Sequence, residues 1–253
     1  MNSRSNNCKL AVIAWLLALS ASLGAPSDDF KAANRFYDAG QFAKAAAAYQ
    51  EIEPKTAHVY FNLGNAWFRQ GKLGLAILNY ERSRRLAPRD PDIIANLKFA
   101  QQKLGVDEVN TPSRVRERFL RSVIESRTMT EWSVYELVGL WLAVLAVAAW
   151  IFLPKARMGC LTACTVAFMG FAVSAFALGY RVIDERTAPQ GVVVTVETAA
   201  RFAPLPDSTV HFRLGEGTKV VVREDRGPWL YVERADGQQG WVNAEAISRV
   251  TPL

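Results

Sequence analysis

Three long apolar runs stand out along the chain, and the segments between them have the composition of ordinary globular sequence. One run lies near the N-terminus, and two follow each other in the middle of the chain, at residues 134–153 and 158–180. Each of these two has about 20 residues, mainly Leu, Val, Ala, Phe and Trp, which is the length a helix needs to cross a bilayer. The pattern predicts a multi-part chain held in a membrane by two transmembrane helices, not a single soluble enzyme core.

The ends of the two central runs predict how they cross the membrane. Trp132 and Trp150 are 18 residues apart, roughly 27 Å along a helix, which places them at the two interfaces of one bilayer. Residues 154–157 form a short turn containing Lys155 and Arg157. The positive-inside rule predicts that this turn is cytoplasmic.

Residues 1–24 have the organisation of a secretory signal peptide. Arg4 and Lys9 precede an apolar core, Leu10 to Leu19, and small residues follow at Ser22 and Gly24. We expect a cleaved signal, with an uncleaved anchor as the alternative. Either outcome favours a bacterial inner-membrane protein whose two large domains are periplasmic.

Residues 28–105 contain a helical repeat. Counted from Ala57, characteristic residues occupy positions 4, 7, 8, 11, 20, 24 and 32, namely Tyr60, Leu63, Gly64, Trp67, Ala76, Tyr80 and Pro88. The small residues suit the crossing of two antiparallel helices, and the aromatic residues fill the space between them. This stretch resembles the tetratricopeptide repeat family, which implies pairs of antiparallel helices.

An upstream copy and a downstream helix extend the repeat. The upstream copy has matching residues with a shorter closing loop: Ala32, Ala33, Phe36, Gly40, Ala45 and Tyr49. Residues 91–104 predict a single capping helix with Lys98 facing water. We therefore expect two repeats plus a capping helix, about the minimum that such units need for stability.

Residues 106–131 link the repeats to the first apolar helix. They carry five Arg and five acidic residues, with apolar residues on one helical face at Val115, Phe119, Leu120 and Val123. An amphipathic helix lying on the membrane is one interpretation. An ordinary solvated linker helix is the alternative.

Residues 189–253 change to short strands separated by turn residues. Apolar, β-branched runs at 191–196, 219–222, 230–232 and 240–242 alternate with Gly-, Asp- and Pro-containing turns. The strings around Leu214, Trp229 and Trp241 resemble the bacterial SH3 family, which implies a small all-β barrel that binds peptides or cell-wall components. Trp229 and Tyr231 alternate onto one face, so they are candidates for a ligand-binding face. The alternative is that one of them closes the core.

Charge and cysteines exclude several function classes. The net charge is +6, but residues 189–253 carry 7 basic and 8 acidic residues, and no segment has the concentrated basic face that nucleic-acid binding requires. Cys160 and Cys164 share one face of an apolar helix. We interpret them as packing residues, not as a metal site, because no other ligand type accompanies them.

An enzyme would need a set of acid–base or nucleophilic groups that the chain does not assemble. His58 and His211 are its two histidines, and they fall in different predicted domains. No phosphate-binding loop, nucleophile motif or metal-ligand spacing is present. We therefore expect a protein that is not an enzyme, with no catalytic residues, no cofactor and no metal.

The repeat resemblance implies a partner-binding groove along the first helices of the repeats. Its residues here are Phe30, Asn34, His58, Phe61, Asn62, Asn65, Phe68 and Arg69. Asn34 and Asn62 match asparagines with which some tetratricopeptide domains hold a peptide backbone. Phe30 and Asp92 stand where those domains have lysines for a terminal carboxylate, which argues against carboxylate-end specificity. The alternative is that these polar residues are merely solvated.

The order of the segments resembles the aerotolerance-operon (Bat family) tetratricopeptide membrane proteins of bacteria. This resemblance implies a non-enzymatic scaffold or adaptor in the inner membrane, acting with von Willebrand A-domain membrane proteins and a MoxR-type ATPase in stress tolerance. Partner binding is expected at Asn34, His58, Phe61, Asn62, Asn65, Arg69, Trp229 and Tyr231. The alternative function is a cell-wall sensor or tether that binds peptidoglycan through the SH3-like domain.

Overall fold

The structure is a computed structural model that describes residues 28–105, 123–124, 126–152, 157–187 and 189–251, with only the backbone of Glu185. The predicted signal peptide at residues 1–24 lies outside these residues, as do most of the predicted linker and turn. The chain divides between Glu53 and Pro54 into two compact units.

The first unit contains a pair of helices, α1 (Asp28–Asp38) and α2 (Phe42–Glu51). The turn between them has Gly40 at φ 73°, a backbone conformation that glycine adopts without strain. Ala33, Ala45, Ala46 and Tyr49 are buried. These are small or aromatic residues at the spacing that the repeat pattern predicts.

The second unit begins with three helices, α3 (Ala57–Arg69), α4 (Leu73–Leu86) and α5 (Pro91–Leu104). Gly64 lies where α3 meets α4, and a Cβ atom there would come within 2.7 Å of the Tyr80 ring. Asp90 caps α5 by accepting hydrogen bonds from the backbone of Asp92 and Ile93. The observed bounds follow the repeat pattern closely, and Lys98 on α5 is exposed.

Two long apolar helices follow, α6 (Met129–Phe152) and α7 (Arg157–Thr187). Each contains a stretch with a mean hydropathy of 2.0 and is long and apolar enough to cross a membrane. Ser174 of α7 donates a 2.7 Å hydrogen bond to the carbonyl of Trp132 near the start of α6. Arg181 of α7 donates to the carbonyl of Arg127, just before α6. The end of α7 therefore lies beside the start of α6, and the two helices are antiparallel.

Residues 189–251 form an antiparallel sheet, which we call the β domain. Its strands, in the order β3-β2-β6-β5-β4-β1-β7 across the sheet, are β1 (Gln190–Val193), β2 (Glu197–Arg201), β3 (Val210–Gly215), β4 (Lys219–Arg226), β5 (Trp229–Arg234), β6 (Gln239–Asn243) and β7 (Ile247–Arg249). A short 3₁₀ turn, Ala244–Ala246, precedes β7. The core is apolar and includes Leu214, Val222, Leu230, Val232 and Val242.

The sequence pattern found four strands and missed three. The first predicted strand, 191–196, ends at Val193, and a separate strand, β2, begins at Glu197. The sequence of β2 is ETAAR, which has few of the β-branched residues that favour strands. Its pairing with β3 and β6, not its own composition, places it in the sheet.

Candidate partner-binding surfaces

The predicted groove residues of the second unit lie along α3. His58 and Arg69 are exposed, whereas Phe61, Asn62, Asn65 and Phe68 are half-buried. Asn96, Phe99 and Lys103 of α5 continue this surface, as the contacts below show. We call these nine residues the groove face.

The side-chain amide of Asn65 links α3, α4 and α5. Its Oδ1 accepts a 2.7 Å hydrogen bond from the Tyr80 hydroxyl of α4 and a 2.9 Å bond from Nδ2 of Asn96 on α5. These two donors fix the orientation of the Asn65 side chain. Nδ2 of Asn65 can donate a hydrogen bond to a peptide carbonyl, and Oδ1 of Asn96 can accept one from a peptide N–H.

An aromatic pair lies further along the groove face. The rings of Phe68 and Phe99 are 5.6 Å apart, and Lys103 Nζ lies 5.0 Å from the centre of the Phe68 ring. Phe99 is nevertheless 59% exposed. This end of the groove face therefore offers an apolar surface beside a positive charge.

Asn34 lies in the first unit and repeats the local arrangement of Asn65. The Tyr49 hydroxyl donates a 2.5 Å hydrogen bond to Asn34 Oδ1, and the Phe30 and Tyr49 rings are 5.8 Å apart. Within its own helix pair, Asn34 thus corresponds to Asn65, and its carbonyl oxygen is engaged in the same way.

Trp229 and Tyr231 lie on one face of β5, opposite the core residues Leu230 and Val232, as the alternation predicted. Both aromatic residues are half-buried. Tyr231 pairs across the strands with Trp241, with ring centres 5.0 Å apart. We call this the aromatic face of the β domain.

Two polar neighbours complete the aromatic face. The Arg226 guanidinium lies 4.7 Å from the centre of the Trp241 ring. The Tyr231 hydroxyl donates to Oε1 of Gln239 at 3.1 Å. Trp241, Arg226 and Gln239 were not predicted from the sequence as ligand contacts. Trp241 lies directly opposite Tyr231 on β6, and residues that face each other across two strands share one side of the sheet.

The second unit also contains a contact that joins α4 to the β domain. Glu81 of α4 is 2% exposed and forms ion pairs with Lys219 at 2.8 Å and Arg84 at 2.9 Å. Burial alone would raise the pKa of Glu81, but the charges of Lys219 and Arg84 outweigh it and lower the pKa to about 2. Glu81 is therefore ionised at neutral pH.

Hydrogen bonds between backbone and side-chain groups, together with apolar packing, extend the same contact. The Gly74 amide donates a 2.6 Å hydrogen bond to Glu216, and Arg82 donates to the carbonyl of Arg249 at 2.8 Å. Val192 and Val250 of the β domain are buried in one apolar cluster with Ala76, Ile77, Leu97 and Ala100 of the helices. We call this set the α4 contact, and it fixes the β domain against the repeat region.

The two histidines lie on different surfaces. His58 is exposed on the groove face, and His211 stacks on Phe202 with ring centres 4.3 Å apart. Among the described residues, no group of three or more His, Cys, Asp or Glu side chains is placed to hold a metal ion.

Comparison with known proteins identifies the helical region. The family model for the tetratricopeptide repeat matches residues 57–90. The chain contains a tetratricopeptide repeat. A search of curated proteins found no match to the chain.

The matched repeat consists of α3 and α4 and ends at the cap of α5. It therefore contains the six groove residues of α3 and also Gly74, Glu81 and Arg82 of the α4 contact. Proteins with such repeats generally mediate protein–protein interactions. The first helix of the repeat faces the groove, and its second helix holds the β domain.

Proposed function

We propose that the protein is a non-enzymatic membrane scaffold that binds segments of partner proteins through its repeat and its β domain. The observation that carries the proposal is the α4 contact. The repeat presents its groove face on α3 while α4 is occupied by the β domain. Two candidate binding surfaces therefore belong to one body and keep a fixed spacing.

The α4 contact also supports a location for both surfaces. If α6 and α7 cross a membrane as an antiparallel pair, the repeat before α6 and the β domain after α7 emerge on the same side. A buried ion pair between Glu81 and Lys219 requires that arrangement. The signal-like residues 1–24 favour the periplasmic side of a bacterial inner membrane.

The SH3-like interpretation of the β domain is part of this proposal. Its short antiparallel strands and its aromatic face suit a module that binds peptides in an extended conformation. Two weak sites held together raise each other's effective concentration, so neither has to bind tightly alone.

The proposed partners are membrane proteins with von Willebrand A domains, together with a MoxR-type ATPase. This assignment rests on the resemblance to aerotolerance-operon proteins in the order of the segments. The ATPase would supply the chemical step, and the present chain would position its partners at the membrane.

The groove face is tested by changing its polar residues. We expect N62A/R69A to reduce the recovery of cross-linked partners several-fold while the protein stays folded, because both side chains lie at the surface of α3. K98A, at an exposed position of α5 outside the groove face, is the matched control. Recovery is measured by mass spectrometry after mild cross-linking and affinity purification. Equal recovery of partners with both variants would exclude the groove face as a partner-binding surface.

The aromatic face favours a second candidate function, a cell-wall sensor or tether. The half-buried rings of Trp229 and Tyr231 can stack on sugars, and the neighbouring Arg226 and Gln239 can bond sugar hydroxyl groups. Purified sacculi should then retain the full-length protein in detergent, and Y231A should release it. Retention that is unchanged by Y231A would contradict this candidate.

A further inference from the structure

Phe99 is an aromatic side chain that the folded repeat leaves in water. It is 59% exposed, although its ring contacts Phe68. Burying this surface against a partner's apolar side chain would be favourable at about 25 cal/mol per Å². A single exposed phenyl ring is ordinary for a protein surface, so the charge around it decides what partner it fits.

The repeat region is strongly basic. Residues 57–105 contain eight Lys and Arg residues and three Asp and Glu residues, and one of those acids is Glu81, which is buried in its ion pairs. Helix α3 itself contains no acidic residue. At the exposed ring the positive charge is that of Lys103, whereas the Asp92 carboxylate lies seven residues before Phe99, at the start of α5.

Lys103 brings this charge to the exposed ring. It lies four residues after Phe99 on the same helix, so the two side chains share one face of α5. Its Nζ sits over the Phe68 ring. A carboxylate of a partner can reach Lys103 when a neighbouring apolar side chain rests on Phe68 and Phe99.

The Asn65 and Asn96 amides lie on the same two helices as the aromatic pair. Because Asn65 Oδ1 accepts from Tyr80 and Asn96, a donor of Asn65 and an acceptor of Asn96 are left for a ligand. Both side chains are half-buried and held in place. They suit the alternating carbonyl and N–H groups of an extended chain.

We propose that the groove face selects an acidic, extended segment of a partner protein in which an aromatic or large aliphatic residue is flanked by carboxylates. The apolar side chain rests on Phe68 and Phe99, a carboxylate pairs with Lys103, and the backbone meets Asn65 and Asn96. This selectivity rests on the proposed function, since it specifies what the scaffold's groove binds.

The test measures binding of designed peptides to the full-length protein in a neutral detergent. Four rhodamine-labelled 12-residue peptides serve as probes. In the first, Glu alternates with Phe and Leu. The second has Gln in place of Glu, the third has Ser in place of Phe and Leu, and the fourth has Lys in place of Glu. Empty micelles give the blank for each peptide. Fluorescence anisotropy gives the Kd, measured at low and high salt.

We expect the acidic apolar peptide to bind at least about tenfold more tightly than each of the others, with weaker binding at high salt. F99A and K103E should each weaken binding of the acidic apolar peptide by about tenfold, since F99A removes the apolar contact and K103E removes the ion pair. F99A should leave the circular dichroism spectrum unchanged because Phe99 is exposed. K98E, which changes the same charge elsewhere on α5, should alter the Kd less than K103E.

Equal binding of the Glu and Gln peptides would overturn the proposal, as would equal effects of K103E and K98E. These outcomes are separate from failure of the scaffold function. If N62A/R69A reduces partner recovery but the acidic peptide is not preferred, the scaffold stands and the selectivity is wrong. If neither experiment shows an effect, both proposals are wrong.

Discussion

Glu81 is a buried carboxylate whose charge depends on two other residues. Lys219 and Arg84 hold its pKa at about 2, below the usual value of 4.5. A depressed carboxylate pKa contributes stability that is present above the unfolded value and lost as the pH falls toward the folded value. For Glu81 this window extends from about 4.5 down to about 2, and the contribution above it is about 3 kcal/mol.

The first prediction concerns E81Q. At pH 7 the substitution should lower the thermal unfolding midpoint in detergent by roughly 5–10 °C, because it removes a buried ion pair between α4 and the β domain. The difference from the wild type should shrink as the pH falls from about 4.5 toward about 2, since Glu81 is then protonated in the unfolded chain but still ionised in the folded protein, so that folding must release a proton.

E224Q is the matched control for E81Q. Glu224 pairs with Arg226, but its side chain is 46% exposed, so this pair contributes under about 1 kcal/mol. A pH-independent difference for E81Q, or a shift no larger than that of E224Q, would contradict the account of the α4 contact.

Local sequence patterns predict the positions of some site residues but not their long-range contacts. Trp229 and Tyr231 were placed on one face by simple alternation, because a strand has a period of two residues. The hydrogen bond between Gly74 and Glu216 joins residues 142 positions apart, and no local pattern encodes such a contact. Asn65 was selected as a ligand contact, but its bonds to Tyr80 and Asn96 depend on the packing of three helices.

At the scale of elements, Gly74 sets how closely α4 approaches the β domain. A Cβ atom at this position would lie 2.6 Å from the carbonyl oxygen of Val193 and 2.7 Å from Cγ of Glu216. The Val193 oxygen belongs to the backbone of β1 and cannot turn away as a side chain can. The glycine therefore allows helix and strand to meet.

The second prediction, at the scale of elements, follows from this close approach. G74A should separate α4 from the β domain, although alanine is otherwise the better helix former. The variant should therefore be cleaved faster than the wild type at low protease concentration. G215A is the control, because a Cβ atom there has no neighbour within 4 Å. Equal protease resistance of the two variants would show that the close approach at Gly74 has no consequence.

Elements differ in how well their own sequence specifies them. Helices α3, α4 and α5 follow from the repeat spacing and from clear end signals, such as Asp90 followed by Pro91. Strand β3 has the sequence VHFRLG and β2 has ETAAR. Strand β2 has no apolar alternation and depends on its pairing with β3 and β6. Strand β3 does alternate, at Val210, Phe212 and Leu214, but only Leu214 of these is buried.

At the scale of the molecule, the two apolar helices and the α4 contact constrain each other. If both helices cross a membrane, the chain crosses it twice between the repeat and the β domain, and the contact then requires both to lie in one compartment. The pattern of apolar runs predicted two helices of membrane-spanning length, and α6 and α7 have that length and hydropathy. The docking of the β domain on the second helix of the repeat was not predicted, and it joins the β domain to α4 in addition to the covalent link through α6 and α7.

The measurement that tests this account most directly is the labelling of single cysteines in spheroplasts. Cys8, Cys160 and Cys164 are replaced by serine, and one cysteine is introduced at Lys98, Asp207 or Arg157, all exposed positions. An impermeant maleimide should label K98C and D207C in intact spheroplasts, and R157C only after permeabilisation. Labelling of R157C alone would place both domains in the cytoplasm and exclude periplasmic partners. Labelling of K98C without D207C, or the reverse, would contradict the central claim, because the α4 contact cannot form across a membrane.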